Sequence, residues 1–161
     1  PTPTPTRSPT FTLNDASNRL GWTYLIDGLG PVTLGLNAEQ AVDLGVLRAK
    51  ATACDAYAPT DLLGATRVYS TGGTVTSIDI RTAAFPSARG VRVGTTLAAL
   101  KQLYGDQLRH VAMRDGSKNV KHWALVSGDR YIGYVVNGAG TVTRIAIGYL
   151  DDGEITLPPP C

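Results

Sequence analysis

Gly73-Thr-Val-Thr-Ser-Ile-Asp-Ile80 and Gly140-Thr-Val-Thr-Arg-Ile-Ala-Ile147 align without a gap and are identical at six of eight positions. Self-similarity of this kind marks repeated supersecondary units. In each octet the isoleucines, Ile78 with Ile80 and Ile145 with Ile147, are two residues apart and so share one face of a strand. Thr-Gly-Gly-Thr at 71–74 and Gly-Ala-Gly-Thr at 138–141 are turn chemistry, which makes each octet the second arm of a hairpin. The first arms are read at 67–70 and 131–136.

A second match lies upstream of each octet. Val32-Thr-Leu-Gly-Leu-Asn-Ala-Glu-Gln-Ala-Val42 runs into Gly45, and Val91-Arg-Val-Gly-Thr-Thr-Leu-Ala-Ala-Leu-Lys101 runs into Gly105. Both read as a short strand, a glycine that lets the chain turn sharply, a polar cap and a short helix. Asn37 with Gln40 three residues on forms a capping-box pattern, and Thr95 or Thr96 caps the second helix. Leu97, Leu100 and Tyr104 recur at i, i+3 and i+7 as one apolar stripe, whereas Ala38, Ala41, Val42 and Val46 line a weaker first helix. Further strands are expected at 107–114 and 121–126 around an Asp115-Gly116-Ser117 turn, and at 11–13 and 22–26. The expected fold class is therefore α+β: two diverged helix-plus-antiparallel-sheet repeats, about 22–80 and 81–150, packed as one domain over 11–157.

The chain of 161 residues suits one domain and is long enough to bury a core without a metal. Eighteen Gly and ten Pro point to many turns and exclude an all-helical architecture. Net charge is +2, unevenly spread: residues 81–144 hold ten Lys/Arg against Asp106, Asp115 and Asp129, a segment of +7 beside a remainder of −5. A basic half can attract anionic polymers or lipid surfaces. Scattered solvated charges are the plainer reading, because the ten never form a run.

Residues 1–10, PTPTPTRSPT, favour extended polyproline II and read as a disordered spacer outside the core. Such Pro-Thr tethers resemble those of exported proteins of high-GC Gram-positive bacteria, which implies an extracytoplasmic, secreted or surface-tethered domain. Pro1 reads as a processing boundary, with a signal or anchor expected upstream as the one link to a membrane. Cys54 and Cys161 lie outside metal-ligand spacing, and in an exported chain they are expected to pair, tying the 158–161 tail to the middle of the sequence.

Chemistry-bearing patterns are sparse. No G-x-S-x-G elbow, P-loop, dinucleotide fingerprint or H-E-x-x-H occurs, so neither an enzyme nor a cofactor is expected. His110 and His122 have no ligand-spaced Cys, Asp or Glu, and no metal site is expected. With Asp115-Gly116 as a two-residue turn, His110 pairs with Lys121 and His122 points to the other face; a loop one residue longer sets the histidines opposite each other. Gly28-Leu-Gly30-Pro31 reads as a turn and Asp151-Asp152-Gly153-Glu154 as a solvated tail. Trp123, Tyr131 and Tyr134 with Arg109 and Lys121 make a recognition surface if strand alternation brings them to one exposed face. Ordinary core and boundary packing is the competing reading.

Leu34-Gly35-Leu36-Asn37 with Val42, and Val93-Gly94-Thr95-Thr96 with Leu100 and Gly105, resemble the tandem units of β-lactamase-inhibitor-protein-like and BamE-like domains. The resemblance implies a non-catalytic exported protein that binds another protein. Aromatic content is only 7%, against the aromatic-rich concave sheet of such inhibitors, and the two cysteines would link distant parts rather than lie within one unit. The leading expectation is a non-enzymatic binding or structural module of the cell envelope, with a protein or anionic envelope polymer as partner and no nucleic acid. A secreted enzyme inhibitor and a receptor's extracellular sensor domain are the alternatives.

Overall fold

The computed structural model of the protein describes residues 21–49, 56–57, 66–115 and 118–158. The Pro-Thr stretch 1–10, the strand expected at 11–13, and Cys54 and Cys161 with the bridge expected between them lie outside the described residues.

Three two-residue strands open the described chain: β1 Tyr24–Leu25, β2 Gly28–Leu29 and β3 Val32–Thr33, a small antiparallel sheet. Helix α1, Ala38–Asp43, follows. β4 Thr66–Thr71 and β5 Thr74–Ile80 form a hairpin, then α2 is Leu97–Tyr104. β6 Arg109–Asp115, β7 Lys118–Ser127, β8 Arg130–Val136 and β9 Val142–Tyr149 run as an antiparallel meander, and β10 Ile155–Leu157 pairs parallel with β6. The order across the main sheet is β10-β6-β7-β8-β9-β5-β4.

The α+β expectation is corrected by this architecture, which is predominantly β. One seven-stranded sheet joins strands from both halves of the sequence, and the described helices are six and eight residues long. The reason is area. α1 buries only Ala38 and Ala41, and α2 only Leu100, so neither can cover a sheet face alone. The strands cover themselves instead, by curling.

Local details recur between the two matched stretches. The Gly35 and Gly94 N–H groups donate to the carbonyls of Val75 and Val142, each at 2.8 Å. Ala38 N–H donates to Gly73 O at 3.0 Å, and Leu97 N–H to Gly140 O at 2.8 Å. Gly35 and Gly94 have φ of 86° and 99°, the left-handed region that a side chain disfavours. Asn37 Oδ1 caps α1 by accepting from Gln40 N–H at 2.9 Å, and Thr96 Oγ1 caps α2 by accepting from Ala99 N–H at 3.2 Å. Thr95 instead accepts from Arg92 N–H at 3.0 Å. The octets themselves lie side by side: Ile78 pairs with Ile147, Ile80 with Ile145, and Asp79 with Ala146.

Both faces of the sheet are packed. On the outer face Val68, Ile78, Ile80, Ile132, Tyr134, Ile145 and Ile147 join Leu100 and the β1–β3 sheet in the larger core. On the inner face Met113, Ala124, Tyr131, Ala146, Ile155 and Leu157 form a second one. Ala124, Gly133 and Ala146 make a row across β7, β8 and β9. Their small size lets Met113 of β6 lie over β8, where a Cβ on Gly133 would meet its Cε at 3.3 Å. Tyr131 of β8 reaches across to donate to Thr156 O of β10 at 3.1 Å. Contacts between strands so far apart in the sheet order make this face concave.

Candidate functional site

β6 and β7 form a ribbon with Asp115 opposite Lys118 and His110 opposite Trp123. This register sets His110 opposite Trp123, and opposite neither Lys121 nor His122 as expected from the sequence. The imidazole stacks on the indole with centroids 4.5 Å apart and planes 17° from parallel. Lys101, in the last turn of α2, sets its Nζ 4.6 Å from the centroid of the same ring. Such a cation over an aromatic face is worth about 0.5–1 kcal/mol at an exposed site. Alternation puts Lys121 on the same face of β7 as Trp123, and Lys101, His110 and Lys121 are all exposed. Half-buried Trp123 is therefore an indole stacked on His110 and approached by Lys101, with exposed Lys121 on the same face of the ribbon.

The five candidate recognition residues do not converge. Tyr134 shares the Trp123 face but is 0% exposed, packed in the larger core with its hydroxyl 3.4 Å from that of Tyr24. Tyr131 is 1% exposed and faces the concave side. Arg109 is exposed, but alternation sends it to the face opposite His110, at the rim of a cleft with Val111, Val126 and Glu154. Of the five, Trp123 and Lys121 alone share an accessible face. Tyrosines in these strands are buried because each sits on a sheet face that another layer covers, a fact that residue type alone does not carry.

Residues not singled out from sequence carry the strongest electrostatics. Arg144 Nε donates to Asp79 Oδ1 at 2.6 Å, Arg81 Nε lies 3.2 Å from Asp79 Oδ2, and Arg144 Nη2 donates to Pro158 O at 2.7 Å. Asp79 is 1% and Arg144 7% exposed, so the pair is held inside the concave face, and Arg144 Nη1 lies 3.8 Å from Asp115 Oδ1 as a second, looser ion pair. A signal existed in the sequence: Asp79 between two isoleucines and Arg144 before a third put charges within strands that are apolar on their other face.

Burial sets the remaining ionisation behaviour. It pushes the Tyr24 and Tyr131 hydroxyls up to about 12, and the Tyr134 hydroxyl further in the same direction. Tyr69 rises through burial and, secondly, the charge of Asp79. Burial pushes the His122 imidazole down, and its Nδ1 accepts from Val136 N–H at 3.4 Å. His110 and His122 face opposite sides of the ribbon, so they cannot act together on one substrate. Among the described residues no group of three or more His, Cys, Asp or Glu is placed to hold a metal ion.

No protein-family model matches this chain, and no curated protein or solved structure matches it.

Proposed function

We propose that the protein is a non-enzymatic, extracytoplasmic binding module of the cell envelope, engaging an anionic polymer through the Trp123 face. The observation that carries this reading is the setting of one half-buried indole: His110 stacked at 4.5 Å, with the cationic Lys101 Nζ at 4.6 Å and exposed Lys121 on the same face. Aromatic anchors on rigid elements bind at little entropic cost, and surrounding cations steer an anionic partner toward them. The Pro-Thr stretch at 1–10 supports display away from a surface, and the likeness of 34–37 and 93–96 to tandem inhibitor-like units supports a partner-binding role.

The carboxylate and histidine geometry also supports binding over catalysis. Asp79 is paired with Arg144 and Arg81, Glu154 with Arg114 at 3.3 Å, and the two histidines are on opposite faces. The inhibitor alternative needs an exposed aromatic concave face. Between β6 and β9 that face is instead filled by Met113, Tyr131, Ile155 and Leu157.

The test is a titration with inorganic polyphosphate and with poly-glutamate, repeated at rising salt. Saturable binding that weakens as salt screens exposed charges is expected. Lys101→Glu with Lys121→Glu should lower affinity at least about tenfold, equivalent to 1.4 kcal/mol. Binding of neither polyanion, or affinity indifferent to both substitutions, contradicts the reading.

A further inference from the structure

A second recessed surface lies away from Trp123, at the end of the concave face where β4 and β5 meet the β9–β10 connection. It is a groove of about 660 Å³, within the roughly 300–1,000 Å³ range of ligand clefts. The strand register explains it. Tyr131, Gly148, Ser77 and Tyr69 stand in one row across β8, β9, β5 and β4. Gly148 has no side chain, and a Cβ there would meet the Tyr131 hydroxyl at 3.0 Å, so the ring of Tyr131 lies across that position. Tyr69 and Tyr131 are nearly buried and form fixed walls, while the rim carries half-buried Tyr149 and the hydroxyls of Thr71, Thr76 and Thr156.

The chemistry of this lining differs from that of the Trp123 face. Tyr, Ser and Thr dominate; among the described residues Asp151 on the rim is the one carboxylate, and no Lys, Arg or His lines the groove. The charges behind it, Asp79 and Arg144, are satisfied by each other, by Arg81 and by Pro158 O. A ligand here meets aromatic edges and hydroxyl groups that can donate and accept, with no net cation to attract an anion. The Thr71 and Thr76 hydroxyls lie 3.3 Å apart and the Tyr131 hydroxyl donates to Thr156 O. Anionic ligands would meet Asp151, and an apolar ligand would leave the Ser77 and Thr156 hydroxyls without partners.

We infer that this groove binds a neutral saccharide segment, held by hydroxyl hydrogen bonds and by packing against the accessible edges of the Tyr69 and Tyr149 rings. The site is independent of the polyanion surface: its occupancy is insensitive to salt, whereas binding at Trp123 weakens as salt rises.

The experiment follows backbone amide shifts of the full chain on titration with three soluble probes: a β-1,4-linked N-acetylglucosamine trimer, a β-1,4-glucose trimer and an α-1,6-mannose trimer. At least one is expected to shift Ser70, Ser77 and Thr156 saturably, equally at low and high salt. Ser77→Phe, which fills the groove, should abolish those shifts, and Lys121→Glu should leave them unchanged. Thr71→Trp, at the exposed rim, gives a second obstruction that does not depend on the interior tolerating a phenyl ring. No response to any of the three trimers, shifts centred elsewhere, or shifts that survive both obstructing substitutions would overturn the inference.

Discussion

Asp79 and Arg144 show how two residues can be hidden in plain sight. The matched octets differ at only two positions, Ser77 against Arg144 and Asp79 against Ala146. The structure joins one residue from each difference into the buried pair, at 2.6 Å. Removing one member of such a pair leaves an uncompensated charge and costs about 3–5 kcal/mol, whereas replacing both by apolar side chains is often far cheaper. Asp79→Ala should therefore lower unfolding free energy by about 3 kcal/mol in urea titrations, and Asp79→Ala with Arg144→Met by clearly less than the two single costs combined. The tyrosines give a second residue-scale expectation. Tyr24 and Tyr131 titrate near 12 in the folded chain and near the ordinary 10 when unfolded. Their burial thus contributes stability that is whole below about pH 10 and is lost as pH rises from there toward 12. Absorbance of tyrosinate and loss of folded signal should accordingly rise together over that interval. Tyrosinate appearing for Tyr24, Tyr131 and Tyr134 in a still-folded chain near pH 10 would count against their burial.

At the scale of elements, what was legible was what adjacent residues settle among themselves. Glycines at 35 and 94, caps at Asn37 and Thr96, and hairpin turns before each octet all follow from local backbone and side-chain chemistry. Thr96→Ala should cost about 1 kcal/mol in thermal or urea unfolding, while Thr95→Ala leaves Ala99 N–H capped and should fray α2 less. Register was less legible. A shift of one residue in the β6–β7 turn decides whether His110 faces Lys121 or Trp123, and Asp115-Gly116-Ser117 is compatible with either. Lys101 belonged to a helix reading and Trp123 to a strand reading. Nothing in the linear order brings them together; α2 packing against the outer face does, through Leu100.

For the whole molecule, the α+β expectation failed because helix existence was read correctly but helix weight was not. Two capped segments were visible, yet their six and eight residues bury three side chains between them, too few to form a layer. The long strands β6 to β9 close the concave face by curling around Met113 and β10. That curl rests on Ala124, Gly133, Ala146 and Gly148, whose smallness has meaning only once the strands are in register. The same curl decides the candidate surfaces: it hides Tyr131, leaves Trp123 on the outside with Lys101 and His110, and opens the groove beside Gly148.

The indole N–H resonances of Trp22 and Trp123 provide the most direct test of the binding account, because Trp22 is buried against Phe85 and Trp123 is the proposed anchor. On titration with polyphosphate, the Trp123 resonance should move saturably together with the amides of Lys101, His110 and Lys121, while Trp22 stays in place. Polyphosphate that moves neither indole, or that moves Trp22 and a different face of the molecule, would contradict it.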